Sequence, residues 1–373
     1  MTIAPPHDLA PRVASFDPES FGIPTGRELE WRFAPLNVLK PFFALDPEAG
    51  TVTGISTSEF VANVPIESVA STWTPTDRTG ALARSGASSA VVIDIPREAR
   101  VEEPIVVRLE ASSSFAYQHV EITAGAFSSA KVVIEVNTVA DISGAIVINV
   151  ADGAELTLLM VVDGPKEHRL VAHLPATVGR DARFTACTVM LGGRAVRLLP
   201  SVHYRSSGGS AELLGVFLAE GEQFFEQRIF VEHEQPHCTS NVIYKGALSG
   251  ALAHTGWIGD VLVRREAIGT QTYEMNRNLL LSDGPRADSV PNLELETGDV
   301  VSAGHASATG RFDDEQLFYL QSRGIPAELA RQLVVRGFFA DVLGRLGMPA
   351  WRDTMMVRIS ARLGMADEES EDE

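Results

Sequence analysis

The chain has 373 residues, a formal net charge of −18, 45% hydrophobic and 21% charged residues, and two cysteines, Cys187 and Cys238. That length predicts two or three domains, and the composition is that of a globular protein. The acidic balance argues against nucleic acid or an anionic membrane as partner; two cysteines make no disulfide framework, and no run approaches the ~18 apolar residues of a membrane span.

The first residues, "MTIAPPHDLAPRV", lack a basic start followed by an apolar block. No secretory signal is expected, and the cytoplasm is the expected compartment. Residues 1–85 are rich in Pro, Ser and Thr with little periodicity, and are read as an irregular N-terminal region. Within them "PESFGIPTGRELEWRFAPL" suggests turns leading into a short ordered piece.

Residues 86–311 have a different texture. Short runs such as "SAVVIDI", "AKVVIEV" and "GAIVINV" are rich in Val and Ile, which favour a pleated surface. Small-residue turns separate them, and no helical pattern interrupts, so alternating strand–helix units are not expected. Similar strands follow Ala130, Ala154, Ala182, Ala211 and Ser240. A recurring step of this kind marks stacked units that bury a core only against their neighbours. The expected fold is mainly β, with a β-solenoid core favoured; on pattern alone a sandwich or barrel stays open.

Helical periodicity takes over across 312–365. Asp313 or Asp314 can cap "EQLFYLQSR", Gly324 can end it, and Pro326 suits the first turn of the next helix. Leu329, Leu333, Phe338, Val342 and Leu346 fall on one stripe, available to the β body or to a partner. A third helix, "WRDTMMVRISARL", follows Pro349. Residues 366–373 form an acidic tail, read as solvated and disordered.

Few residues suggest chemistry. "HEQPHC" puts His233, His237 and Cys238 together, and imidazole with thiolate suits zinc or iron. Adjacent residues on a strand face opposite sides, however, and Pro236 favours a structural turn. Arg264, Arg265, Glu266, Glu274, Asn276 and Arg277 read as a solvated polar ladder. Phosphate-loop, zinc-protease and nucleophile-elbow motifs are absent. His305 stands apart: it lies among Gly304, Ala306 and Ser307, where strands give way to helices. A lone histidine is more often structural than a ligand, and residue chemistry alone does not overturn that.

Three ordered stretches carry a resemblance across nearly the whole chain. "LLLSDGPRADSVPNLELETGDVVSAGHASATGRFDDEQLFYLQSRGI" resembles the C-terminal signature of the SufB/SufD family of the SUF iron–sulfur assembly system. "HEQPHCTSNVIYKGAL" and "GRELEWRFAPL" are similar to two further family motifs. The short polar N-terminal region looks most like the SufD branch.

The resemblance implies a right-handed parallel β-helix between an N-terminal region and a C-terminal helical region. It implies a non-catalytic scaffold that pairs with SufB and carries the SufC ATPase on its helices, through the stripe named above. Alone, the chain is expected to self-pair weakly and to hold no stable cofactor, the nascent iron–sulfur cluster being built at the interface with SufB. His305 takes the family's histidine position, as a transient cluster ligand. Ser302 and Ala303 leave the family's nearby cysteine position unfilled, so no thiolate comes from this site. The alternatives are a β-helix enzyme of the polysaccharide lyase type and a stand-alone metal protein using His233, His237 and Cys238.

Overall fold

The computed structural model describes residues 13–70, 72–311 and 314–364; Asp313 and the acidic tail lie outside them. Two short strands, β1 (Gly50–Ile55) and β2 (Val61–Pro65), precede the expected start of the strand-rich core. They pair antiparallel with β4 (Ile105–Ala111) and β3 (Ser89–Ile95), and so close the first coil. Gly, Thr and Asn interrupt any alternation in both, which is why residues before 86 read as turns.

From there the chain winds as a parallel β-solenoid with two facing sheets. One sheet continues from β3 through β5 (Phe115–Ala124), β7 (Asp141–Val150), β9 (Arg169–Val178), β11 (Ala195–Tyr204), β13 (Phe224–His233), β15 (His254–Val263) and β17 (Arg286–Leu295). The other continues from β4 through β6 (Ser129–Val136), β8 (Glu155–Val162), β10 (Arg183–Met190), β12 (Ser210–Glu220), β14 (Thr239–Ser249), β16 (Thr270–Leu280) and β18 (Val300–Arg311). In the second sheet Val132 pairs with Leu158, whereas Val242 pairs with the more distant Glu274, so the coils lengthen toward the C-terminal end.

Every second residue points into the lumen, and in the early coils these are Val, Ile, Leu and Ala: Val132, Ile134, Ile146, Leu158 and Leu170 are fully buried there. Each such side chain contributes about 1.5–3 kcal/mol. Parallel strands covered on both sides read as continuous apolar runs, as these do.

The outer faces are covered differently. The N-terminal segment, with its short helix α1 (Leu36–Leu39), packs Trp31, Leu39, Phe42 and Phe43 on Phe115, Tyr117, Val171 and Phe224 of the first sheet. Helix α2 (Arg78–Gly86), capped by Asp77 through the Gly80 N–H at 2.8 Å, packs on the same face. The second sheet is covered by α4 (Ala327–Gly344) and α5 (Pro349–Arg362), reached through α3 (Asp314–Ser322). Val335, Phe339, Val342, Leu343, Met355 and Ile359 bury against Leu159, Val189, Leu214 and Val216. Lys245 donates to Asp341 at 2.8 Å, Arg358 to Glu135 at 2.7 Å and Arg362 to Asp163 at 2.6 Å, pinning both helices to the strands.

This corrects the stripe expected for a partner. Val342 and Leu346 are buried against the solenoid, and Phe338 is half-buried beneath Lys245. Leu329 and Leu333 are half-buried like Phe338 and keep an open side. The helical period identifies an apolar face but not what covers it.

Candidate functional site at the open end of the solenoid

The last coil is the exception to the coverage. Among the described residues β17 pairs only with β15 and β18 only with β16, so each leaves one edge of backbone groups unpaired. His305 sits on β18, with its side chain 45% exposed. Its register partner one coil below is Glu274, and Nδ1 of His305 lies 3.8 Å from Oε1 of Glu274.

Glu274 and Asn276 are not on a solvated ladder. Alternation along β16 turns Thr272, Glu274, Asn276 and Asn278 inward, buried, while Tyr273 and Arg277 face out. Their partners on β14 are Ser240, Val242, Tyr244 and Gly246, so the lumen turns from largely apolar to polar within one coil. The expectation of a polar outer face holds for Arg265, Glu266 and Arg277 and fails for Glu274 and Asn276. The period of two was legible in "TYEMNRN" and marks these inward positions.

The polar lumen is incompletely satisfied. Asn278 donates to Asn276 Oδ1 at 2.7 Å and to Thr309 at 3.2 Å, yet its own Oδ1 accepts nothing. Trp257 Nε1, Ser289 Oγ and both Glu274 oxygens also lack a hydrogen-bond partner. Burial, then the charge of Asp260, pushes the Glu274 carboxyl up to about 8. The Asn292 backbone N–H opposes this weakly, without making a hydrogen bond of good geometry. Glu274 also fixes its neighbour: a Cβ at Gly259 would strike Glu274 Oε2 and Trp257 Cη2, so only glycine fits there.

His233, His237 and Cys238 do not bring their ligand atoms together. His233 ends β13 fully buried, 2.9 Å from Ser240 Oγ and stacked on Tyr204, and burial holds its pKa at about 3. His237 occupies a turn with φ of 60°, and Cys238 fills the core. These are structural roles, and the stand-alone metal reading loses its ligand set. Cys187 is likewise buried, between the second sheet and its helices, and burial pushes its thiol up to about 12.

One cluster escaped sequence reasoning because its members come from successive coils, β11 and the end of β13. His203 Nδ1 lies 3.3 Å from Glu232 and 3.7 Å from Glu234. Burial alone would lower the His203 pKa; hydrogen bonds to the two carboxylates override it and raise it to about 9. Arg264 holds the other oxygen of Glu232 at 2.5 Å. The cluster is a satisfied ion-pair network at neutral pH.

A groove of about 620 Å³ on the first sheet is lined by Glu121, Asn149, Asp152, Thr177 and Arg205. Asn149 joins Thr72, Thr177 and Glu121 by hydrogen bonds of 2.9–3.2 Å, so these polar groups mostly satisfy one another.

Comparison with known proteins decides the family. The model of the SUF system FeS cluster assembly SufBD core domain matches residues 107–338. The chain belongs to the SufB/SufD family. An iron–sulfur cluster assembly SufBD family protein of Mycobacterium bovis is 41% identical over 97% of this chain and 94% of its own length. Its counterpart in Mycobacterium leprae is 41% identical over 96% and 95%. SufD of Escherichia coli is 27% identical over 76% of this chain and 69% of its own length. The SufBD core match spans the solenoid from its first full coils to Phe338, and therefore includes the polar lumen and His305. Among the described residues no helix is long and apolar enough to cross a membrane.

Proposed function

We propose that the chain is a SufD-like, non-catalytic scaffold subunit of a cytoplasmic SUF complex. It pairs with a SufB-like paralogue through the last coil and takes part in building an iron–sulfur cluster at that interface. The observation that carries this reading is the open end itself: the N-terminal segment and the C-terminal helices pack on the two outer faces of the solenoid, whereas β17 and β18 present free strand edges around a half-exposed histidine. Free edges invite pairing with another strand-rich chain. A SufC-like ATPase would dock on what the body leaves uncovered in the helical region: the open sides of Leu329 and Leu333, and Phe318 and Tyr319 of α3, which are 72% and 57% exposed.

Mixing the purified chain with its SufB-like paralogue is expected to give one new species of summed mass in size-exclusion chromatography with light scattering. Two unchanged peaks would end this reading. Within that complex His305 serves the cluster and not the fold. Its ring is half exposed, with Glu274 as its one ionic neighbour among the described residues, so His305→Ala is expected to cost less than ~1 kcal/mol. The complex should form normally, with less iron and sulfide than wild type. Equal content in the two complexes would return His305 to a structural role.

A further inference from the structure

A cavity of about 40 Å³ lies between the N-terminal segment and the outer face of the first sheet. Leu198, Val202, Ile229 and Val231 point into the lumen, so alternation along β11 and β13 turns Leu199, Ser201, Arg228 and Phe230 outward to form the cavity floor. Glu30 and Trp73 border it from the other side. A space of this size holds roughly three waters, or a solute of about five or six heavy atoms.

The polar groups around it are unevenly satisfied. His173 Nε2 lies 3.0 Å from Thr79 Oγ1 and 3.2 Å from Asp77 Oδ1, so these three serve one another. Arg197 gives one nitrogen to Glu226 and another to the Glu30 carbonyl, while its buried Nε has no partner. The Arg228 side chain is only 10% exposed, yet among the described residues it uses one of its N–H donors, on Asp260 at 3.4 Å. Asp260 accepts a shorter bond from Asn292, at 2.7 Å. Across the cavity, the carboxylate of half-buried Glu30 has no partner among the described residues, Arg228 included. A guanidinium short of acceptors and a carboxylate short of donors therefore border one space without reaching each other, and such groups are costly to leave unmatched.

We propose that this cavity binds a small α-amino acid as its zwitterion, with the carboxylate on Arg228 and Ser201 and the ammonium on Glu30. The planar fork of arginine matches a carboxylate through two parallel hydrogen bonds. A plain anion would be repelled by Glu30 and a plain cation by Arg228, whereas a molecule carrying both charges is attracted at each end. The volume limits the ligand's side chain to about one heavy atom, as in alanine. Leu199, Phe230 and the Trp73 indole give that side chain apolar surroundings.

Ligand-observed NMR of the full chain tests this with three probes: alanine, propionate and ethylammonium. Propionate is alanine without the ammonium, and ethylammonium is alanine without the carboxylate. Alanine is expected to bind at one saturable site, and each of the others roughly tenfold more weakly or worse. Arg228→Lys keeps a positive charge beside Asp260 but loses the fork, and should weaken alanine binding roughly tenfold. Glu30→Gln removes no existing ion pair and should fold as wild type does; it should weaken alanine binding but not propionate binding. Arg205→Met, in the separate groove on the same sheet, should change nothing. Propionate binding as tightly as alanine would make the cavity a plain anion site, and no saturable binding by wild type would make it a hydrated gap. Either result overturns the proposal, as does alanine affinity unchanged in Glu30→Gln.

Discussion

Replacing Arg197 by alanine is expected to destabilise the protein by about 3–5 kcal/mol, the range for removing one partner of a buried ion pair. Arg197 and Glu226 are both 1% exposed, paired with each other on neighbouring strands β11 and β13. The same guanidinium donates to the Glu30 carbonyl at 2.9 Å and lies 4.0 Å from the centre of the Trp31 ring. It therefore fastens the N-terminal segment to the solenoid as well as neutralising Glu226. Removing it strands a buried carboxylate and releases the segment around Trp31. Urea titration should show the loss, and limited proteolysis should cut first between residues 13 and 48. Replacing both partners with Met and Leu should recover much of the stability, because no charge is then left unpaired. A cost below ~1 kcal/mol for Arg197→Ala would show that the pair contributes little and that apolar packing alone holds the segment.

The second large effect has the opposite sign. Glu274→Gln is expected to stabilise the protein, and by more as pH rises. The folded pKa is raised from the ordinary 4.5 to about 8. A carboxyl whose pKa is raised on folding is best tolerated below its unfolded value, where it is neutral in both states. Between those two values the folded state holds a proton that the unfolded state has released, and each pH unit costs up to about 1.4 kcal/mol. Wild type should thus lose stability steadily from about pH 5 to pH 8, while the glutamine variant should not. The gap should reach roughly 4 kcal/mol near pH 8. Repeating the comparison in a His305→Ala background removes the neighbouring ring's contribution from the difference. A gap that is constant with pH would show that Glu274 is ionised or hydrogen-bonded in the folded protein. A carboxylate that lowers stability at the open end of the solenoid fits a group kept for binding.

Much of the fold was legible because a solenoid repeats its physics in every coil. The strand-rich texture and the recurring step follow from stacking units that share one lumen. Ala211 and Ser240 are true register partners, and Ala154 and Ala182 stand just before the partners Glu155 and Arg183. The neighbouring steps are less faithful: Ala130 pairs with Leu156 and not Ala154, and Phe184, two places beyond Ala182, is the true partner of Ala211. One small turn residue looks like another, so the pattern slips there by two. A slip of two keeps every side chain on its proper face. Strands β1 and β2 escaped because an antiparallel closing pair needs no long apolar run.

The candidate site was legible only in part. His305 stood out by its small neighbours and by the family resemblance, but its partner did not. Glu274 lies a full coil earlier in sequence, a pairing fixed by the length of that late coil and by nothing local. In the helical region the apolar stripe was correctly placed on one face. That Val342 and Leu346 meet the second sheet depends on the apolar outer positions Leu159, Leu214 and Val216, whose exposure before the helices dock no local pattern reveals.

A chain that works as one subunit of an assembly should bring its partners with it. The most direct measurement is affinity purification of the tagged full chain from its own cells under anaerobic conditions, with the stoichiometry of co-eluting chains determined by mass spectrometry. A SufB-like and a SufC-like chain are expected in fixed ratio to it, and to be lost when β17 and β18 are disrupted by charged substitutions along their free edges. Recovery of the chain alone, or with partners indifferent to those edges, would contradict the account.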